Sequence, residues 1–261
     1  MESFFCYSVF LNSFGAEQLS NPKLTIGLLL CDTLHDYLQP DVGGDFDHLF
    51  AKHLTNADQE LTFKAYRTHQ GELPNSPADA DLWLINGSPE SVYYDLPWIK
   101  NLISFVQDIH AQQIPLVGIC FGHQIIATAL GGKVEKSDKG WGVGLDQYPI
   151  TQQASWMQPQ LDKYGIFVFH QDQVVELPAN TQILSGNDFC PYFWVQYDAK
   201  TMSTQGHPEF FKGFLTGVLE SWEFDELPEI REQGLNNLDG EADTEIMFRW
   251  ITKFFREAKA A

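Results

Sequence analysis

Ile114-Pro-Leu-Val-Gly-Ile-Cys120-Phe-Gly-His-Gln-Ile-Ile-Ala-Thr-Ala-Leu130 carries the clearest structural signal in the chain. Pro115 to Ile119 is an apolar run of strand length, and Cys120 follows at once. Gly122 permits a tight turn, and His123 to Leu130 predicts a helix with Ile125, Ile126 and Ala129 on one face. Gly131 and Gly132 stop that helix. A reactive residue between strand and helix, with glycine two positions before and two after, has the pattern of a nucleophile elbow. The sharp turn forces close packing, so small residues must flank the nucleophile. The helix start aims free N–H groups and the positive end of its dipole at the side chain. Both favour thiolate over thiol. Taken alone, G-x-C-x-G also fits a cysteine buried as a small hydrophobe, so the surrounding chain has to decide.

Towards the N-terminus the chain alternates strands and helices. Leu24 to Leu30 is apolar throughout, which predicts a strand buried on both faces. A loop with Pro40, Gly43 and Gly44 leads to a helix from Asp45, where Phe46, Leu49, Phe50 and Leu54 hold helical spacing. Leu61 to Tyr66 alternates as a second strand, a Pro-rich turn follows (Pro74, Pro77), and Asp81 to Asn86 is a third. The latter runs into the turn-rich segment Gly87 to Tyr93. Pro97 opens a helix carrying Ile99, Leu102, Ile103, Val106 and Ile109. Four strand–helix alternations predict an α/β fold: a mostly parallel central sheet with helices on both faces, in three layers. Ligands in such sheets bind beyond the carboxyl ends of the strands, where both Gly87 and Cys120 fall.

Towards the C-terminus the rhythm changes. Lys139 to Ile150, Ile166 to His170, Gln182 to Ser185, Tyr192 to Tyr197 and Met202 to Gln205 read as short strands joined by turns, predicting antiparallel additions to the sheet. Gly206-His207-Pro208-Glu209 follows, then a helix from Phe210. Glu223 to Glu245 holds nine acidic residues and one basic one, the pattern of a solvated face with loops. Glu245 to Ala258 closes as an amphipathic helix. The expected organisation is a single domain over 1–261, with a core at 24–217, an N-terminal extension at 1–23 and an acidic helical tail at 218–261.

The net charge of −19, from 35 acidic and 16 basic residues, argues against nucleic acid and anionic membranes as partners. No apolar run reaches membrane-spanning length. Met1 to Ser20 lacks Lys and Arg and makes a poor signal peptide. The four cysteines (Cys6, Cys31, Cys120, Cys190) are widely spaced, unlike a disulfide framework or a zinc site. A cytoplasmic protein without metal or cofactor is expected.

A thiolate nucleophile needs a proton partner, and that partner needs orienting. Among eight histidines, His207 stands out, because the residue before a proline is held out of helical geometry. Pro208 suits a first helical position, which would set Glu209 near a helix start, close enough to hold the imidazole. Acyl transfer also needs an oxyanion hole. The N–H of Phe121 is one expected donor, and that of Gly87 the other.

With these residues in place, Gly118-Ile-Cys-Phe-Gly-His-Gln124 and Gly206-His-Pro-Glu209 together resemble the class I glutamine amidotransferase family, in its stand-alone GMP-synthase-like branch. Asn86 to Tyr93, Gly131 to Val134, Lys139 to Gly144 and Phe169 to Val174 agree with it, so the resemblance covers about Leu24 to Gly217. It implies the family's flavodoxin-like fold and a Cys120–His207–Glu209 triad. The implied chemistry is hydrolysis of the glutamine side-chain amide through a γ-glutamyl thioester. Gln124 matches a residue that helps hold glutamine, Gly87 and Phe121 match the oxyanion donors, and His170 and Gln171 fall in a stretch that lines the glutamine site. Family synthases pass the ammonia to a synthetase domain or partner. No phosphate loop follows the amidotransferase-like segment, so GMP synthesis itself is not expected. The resemblance also admits a γ-glutamyl peptidase acting on γ-glutamyl peptides or glutathione conjugates, and a non-catalytic regulatory protein on the same fold.

Overall fold

A computed structural model describes residues 22–221 and 227–261. Met1 to Asn21, with Cys6, lie outside the described residues, as do residues 222–226 at the start of the acidic stretch. In chain order the first elements are β1 (Leu24–Leu30), α1 (Gln39–Val42), α2 (Phe46–Ala57), β2 (Leu61–Arg67), β3 (Leu82–Ile85), α3 (Pro97–Ala111), β4 (Leu116–Ile119) and α4 (Phe121–Ala129). Then come β5 (Lys133–Lys136), β6 (Gly142–Pro149), β7 (Lys163–His170), β8 (Asp172–Glu176), β9 (Gln182–Ser185), β10 (Trp194–Gln196), β11 (Thr201–Thr204), α5 (Lys212–Glu220), α6 (Pro228–Asn236) and α7 (Thr244–Ala260).

Seven strands form one sheet in the order β2-β1-β3-β4-β11-β10-β9. The pairings from β2 through β11 are parallel, and β10 and β9 add antiparallel at one edge. Successive side chains of a strand point to opposite faces, and the apolar runs use both. Ile26, Leu28, Leu30, Leu84, Val117 and Ile119 enter one core with α2, α5 and α7. Leu29, Trp83, Ile85 and Leu116 enter the other with α3 and α4. This is the three-layer α/β architecture expected from the alternation.

The turn expected between β2 and β3 is built as two 3₁₀ turns, Thr68–Gln70 and Pro77–Asp79. The first seals on Gly71 at φ +86°, and the second is closed by a Ser76–Asp79 capping box, so each is complete after one turn. The middle strands do not all extend the sheet. β5 pairs with β8 and β6 with β7 in separate antiparallel ribbons. A bridge between Ile150 and Ser185 ties the β6 end to the main sheet. The helix after Cys120 is not one-sided. It is buried almost all round, with His123 donating or accepting across to the Ser203 hydroxyl at 2.7 Å. Among the described residues, no helix is long and apolar enough to cross a membrane.

The C-terminal segment is not a peripheral tail. The described part of the acidic stretch includes α6, whose Gly234 packs so closely that an added Cβ would lie 2.8 Å from Val143 of β6. Gly165 and Asp243 exchange hydrogen bonds at 2.8 Å each way. The apolar face of α7 (Met247, Phe248, Trp250, Ile251, Phe254, Phe255) is fully interior and faces α2. Trp250 meets Tyr164 and Trp194 edge-on at 5.8 and 5.7 Å, and its indole N–H donates to the Pro159 carbonyl at 3.0 Å. Truncating so large a buried side chain leaves a cavity, so Trp250→Ala should cost about 3–5 kcal/mol. Equilibrium urea unfolding checks this; a loss below about 1 kcal/mol would return α7 to the status of an appendage.

Candidate active site

β3, β4 and β11 lie side by side and parallel, so their carboxyl ends open at one place. Each end delivers a site residue. β3 runs into Asn86 and Gly87, β4 into Cys120, and β11 into Gln205 and His207.

Cys120 adopts φ +53° and ψ −105°, a conformation rare for a residue with a Cβ and one that surrounding structure must enforce. Its N–H donates to the Thr204 carbonyl at 2.9 Å, and the Gly122 N–H donates to the Asn86 carbonyl at 3.2 Å. The flanking glycines are obligatory. A Cβ on Gly118 would stand 2.4 Å from the Gly122 carbonyl oxygen, and one on Gly122 would stand 2.4 Å from that of Ile85. The elbow read from sequence is therefore present in the backbone. α4 starts at Phe121, two residues earlier than the spacing predicts. The Phe121 N–H is thus the first at the helix mouth, among those with no partner within the helix.

The other two described thiols differ from Cys120. Cys31 and Cys190 are free and deep in the interior, and burial pushes both up to about 12. Such thiols stay protonated and inert.

His207 is fixed at backbone and ring. Its N–H donates to the Phe167 carbonyl at 2.8 Å, its Nδ1 meets Glu209 Oε1 at 2.8 Å, and the Phe210 ring stacks on it at 3.9 Å. With Nδ1 turned to the carboxylate, Nε2 is left for the substrate side. Burial alone would lower the His207 pKa. The negative charges at Cys120 and Glu209, and hydrogen bonds to both, outweigh it and raise the value to about 10. Gly87 lies against this pair: a Cβ there would sit 3.0 Å from His207 Cε1 and 3.7 Å from the Cys120 Cβ. A side chain there would crowd the imidazole, so glycine keeps the β3 end close to both residues.

One detail of the sequence reading changes. Glu209 does not sit at a helix start, because α5 begins at Lys212 and Pro208–Glu209 form a turn. Phe210 and Phe211 remain outside the helix, with Phe211 extended as its N-cap and the Phe210 ring stacked on His207 and tilted against Phe214.

The remaining expected site residues are placed as follows. His170 ends β7, buried, with Nδ1 donating to the Asp172 carbonyl at 3.2 Å. Burial, with the neighbouring His207 charge, lowers its pKa to about 4, so it is neutral at pH 7. Gln171 occupies the bend between β7 and β8, where its carbonyl accepts from the Ser137 N–H at 3.1 Å. Gln124 turns its amide nitrogen to the Asp172 carbonyl at 3.0 Å and to Gln205 Oε1 at 3.2 Å. Two neighbours escaped the sequence reading. Gln205 Nε2 lies 3.6 Å, and the Phe169 carbonyl 4.0 Å, from the Cys120 sulfur. Gln205 directly precedes the Gly-His-Pro-Glu segment, but only the adjacency of β4 and β11 reveals its target. Among the described residues, no group of three or more His, Cys, Asp or Glu side chains could hold a metal ion.

The raised His207 pKa has a consequence for stability. Its folded value of about 10 exceeds the ordinary value of about 6.5. The stabilisation from this proton is therefore complete below about pH 6.5 and lost as pH rises through about 10. Urea unfolding of the unsubstituted protein and of His207→Gln should show a stability gap that narrows from about pH 6 to about pH 10. A gap that widens over that range would contradict the assignment.

The chain matches the glutamine amidotransferase class-I family model over residues 38–217. It is 31% identical to a glutamine amidotransferase-like protein of Schizosaccharomyces pombe, over 67% of this chain and 71% of that one. It is 27% identical to gamma-glutamyl peptidase 3 of Arabidopsis thaliana, over 76% of this chain and 81% of that protein. A crystal structure of a glutamine amidotransferase from Thermotoga maritima has the same fold, with a TM-score of 0.72 at 16% identity, covering 92% of this chain and 100% of that one. This chain belongs to the class I glutamine amidotransferase family.

Proposed function

We propose that the chain is a cysteine-dependent amide hydrolase that cleaves the side-chain amide of glutamine through a γ-glutamyl thioester. The observation that carries this reading is the convergence of Cys120, from the end of β4, with His207 and Glu209, from the end of the adjoining β11, Cys120 being held on a strained elbow. The Cys120 thiolate attacks the amide carbon, and negative charge moves to the carbonyl oxygen. The N–H groups of Gly87 and Phe121 receive it. The His207 imidazolium gives its proton to the departing nitrogen, the C–N bond breaks, and ammonia leaves. A water then loses its proton to the neutral His207 and attacks the thioester, releasing glutamate and restoring the thiolate. Glu209 holds the imidazole in one tautomer throughout. Gln124, His170 and Gln171 border the substrate side in this reading.

The reading takes 1–261 as one amidotransferase unit working in the cytoplasm, without cofactor, and with an ammonia-accepting synthetase as the partner it would serve. Neither nucleic acid nor membrane is a partner of so acidic a chain. A second reading keeps the same chemistry and changes the leaving group. The relation to an Arabidopsis protein named gamma-glutamyl peptidase, over 81% of that protein's length, favours an amine larger than ammonia, as in a γ-glutamyl peptide.

Glutamate release from purified protein, with L-glutamine and with γ-glutamyl dipeptides side by side, tests both. Cys120→Ala should reduce release at least about 10³-fold, the scale for loss of a triad nucleophile. Higher kcat/KM on glutamine supports the amidotransferase, and on the dipeptides the peptidase. Turnover that survives Cys120→Ala contradicts both.

A further inference from the structure

Gln205 has no part in the triad, yet its side chain is wholly buried and turned to the reactive sulfur. Its Nε2 lies 3.6 Å from Cys120 Sγ and its Oε1 lies 3.2 Å from Gln124 Nε2. Gln124 Nε2 in turn lies 3.0 Å from the main-chain carbonyl of Asp172. The polarity of this chain follows from its last member. A main-chain carbonyl can only accept, so the Gln124 group facing it is the NH₂. That NH₂ must find an acceptor on Gln205, so Gln205 offers its oxygen to Gln124. The Gln205 NH₂ is then left for the sulfur. An N–H donor aimed at sulfur favours the charged thiolate. The thiol instead has the Phe169 carbonyl, 4.0 Å away, as its acceptor.

Strand register puts Gln205 there. Thr204 of β11 pairs with Ile119 of β4, so the next residues, Gln205 and Cys120, leave the sheet side by side. The Gln205 N–H is held by the Phe193 carbonyl at 2.7 Å, which anchors the residue independently of its side chain.

We propose that Gln205 holds the Cys120 thiolate through its side-chain N–H, in an orientation set by the Asp172 carbonyl by way of Gln124. This rests on Cys120 being the nucleophile. It adds a donor from beneath the elbow to the His207 proton, and it gives Gln124 a structural task besides any contact with substrate.

The test reads the sulfur directly. The rate of iodoacetamide alkylation at Cys120 is followed against pH by peptide mass spectrometry, which separates Cys120 from Cys6, Cys31 and Cys190. Removing the donor with the similarly sized Gln205→Met should raise the midpoint by about one unit, roughly a tenfold loss of thiolate below it. Gln205→Glu should raise it further, because a carboxylate would face the thiolate. Gln124→Leu should give a smaller rise, since it frees the Gln205 amide to turn without removing it. Unmoved midpoints in folded Gln205→Met and Gln205→Glu would overturn the proposal. Should neither variant fold, ¹⁵N spectroscopy of the unsubstituted protein decides. The Gln205 side-chain resonances should titrate with the Cys120 midpoint and shift on its alkylation, and resonances indifferent to both would overturn the proposal. The assay uses no substrate, so failure to turn over glutamine would fall on the proposed function and leave this result standing.

Discussion

Parallel pairing of β4 with β11 is the constraint on which the site depends. The pairing puts Ile119 opposite Thr204, and the Cys120 N–H continues it by donating to the Thr204 carbonyl at 2.9 Å. That bond holds the nucleophile's backbone at the strand end while the chain turns sharply into α4. Strain at Cys120 is tolerated because Gly118 and Gly122 let the elbow backbone pack against itself and against β3. The same pairing brings His207 within reach three residues beyond Thr204. There β7 catches it through the Phe167 carbonyl. The elbow and the positions of the proposed proton partner and its carboxylate are thus consequences of one register.

Burial then sorts the chemistry of similar groups. Three described thiols lie in the interior, and two are held protonated, chiefly by burial. Cys120 differs by its company: an imidazole already claimed by Glu209, a glycine amide, a helix mouth and the amide of Gln205. Among the histidines, His170 is kept neutral by burial and His207 is kept charged by its anionic neighbours. Two imidazoles in one site therefore hold opposite states at neutral pH, which fits the proposed reaction, where His207 moves protons and His170 does not.

Much of this could be read from the amino-acid order because it is local. An apolar run, a cysteine and two glycines at fixed offsets match an elbow or a buried cysteine, and His-Pro-Glu, which puts a non-helical histidine beside a carboxylate, decides between them. The alternation of Leu24–Leu30 and its successors specifies a parallel sheet between two layers of helix. What escaped was non-local. Nothing in Lys133–Lys136 or Gly142–Pro149 says whether they pair with the sheet or with β8 and β7. The start of α5 moved from Phe210 to Lys212 because Phe210 packs against His207, a tertiary contact. The acidic side chains described between Pro228 and Glu245 do lie mostly in solvent, but the docking of Gly234 and Asp243 in that stretch becomes legible only against β6 and β7. Gln205 looks like a strand end until β4 is known to lie beside it.

The central claim is that Cys120 forms the covalent intermediate. Acid quenching during turnover of glutamine or a γ-glutamyl dipeptide, followed by intact and peptide mass measurement, reads it most directly. The account predicts a γ-glutamyl group on Cys120 and on no other cysteine, present during turnover and absent once substrate is exhausted. Sustained turnover with no adduct on Cys120, or an adduct on a different residue, would contradict it.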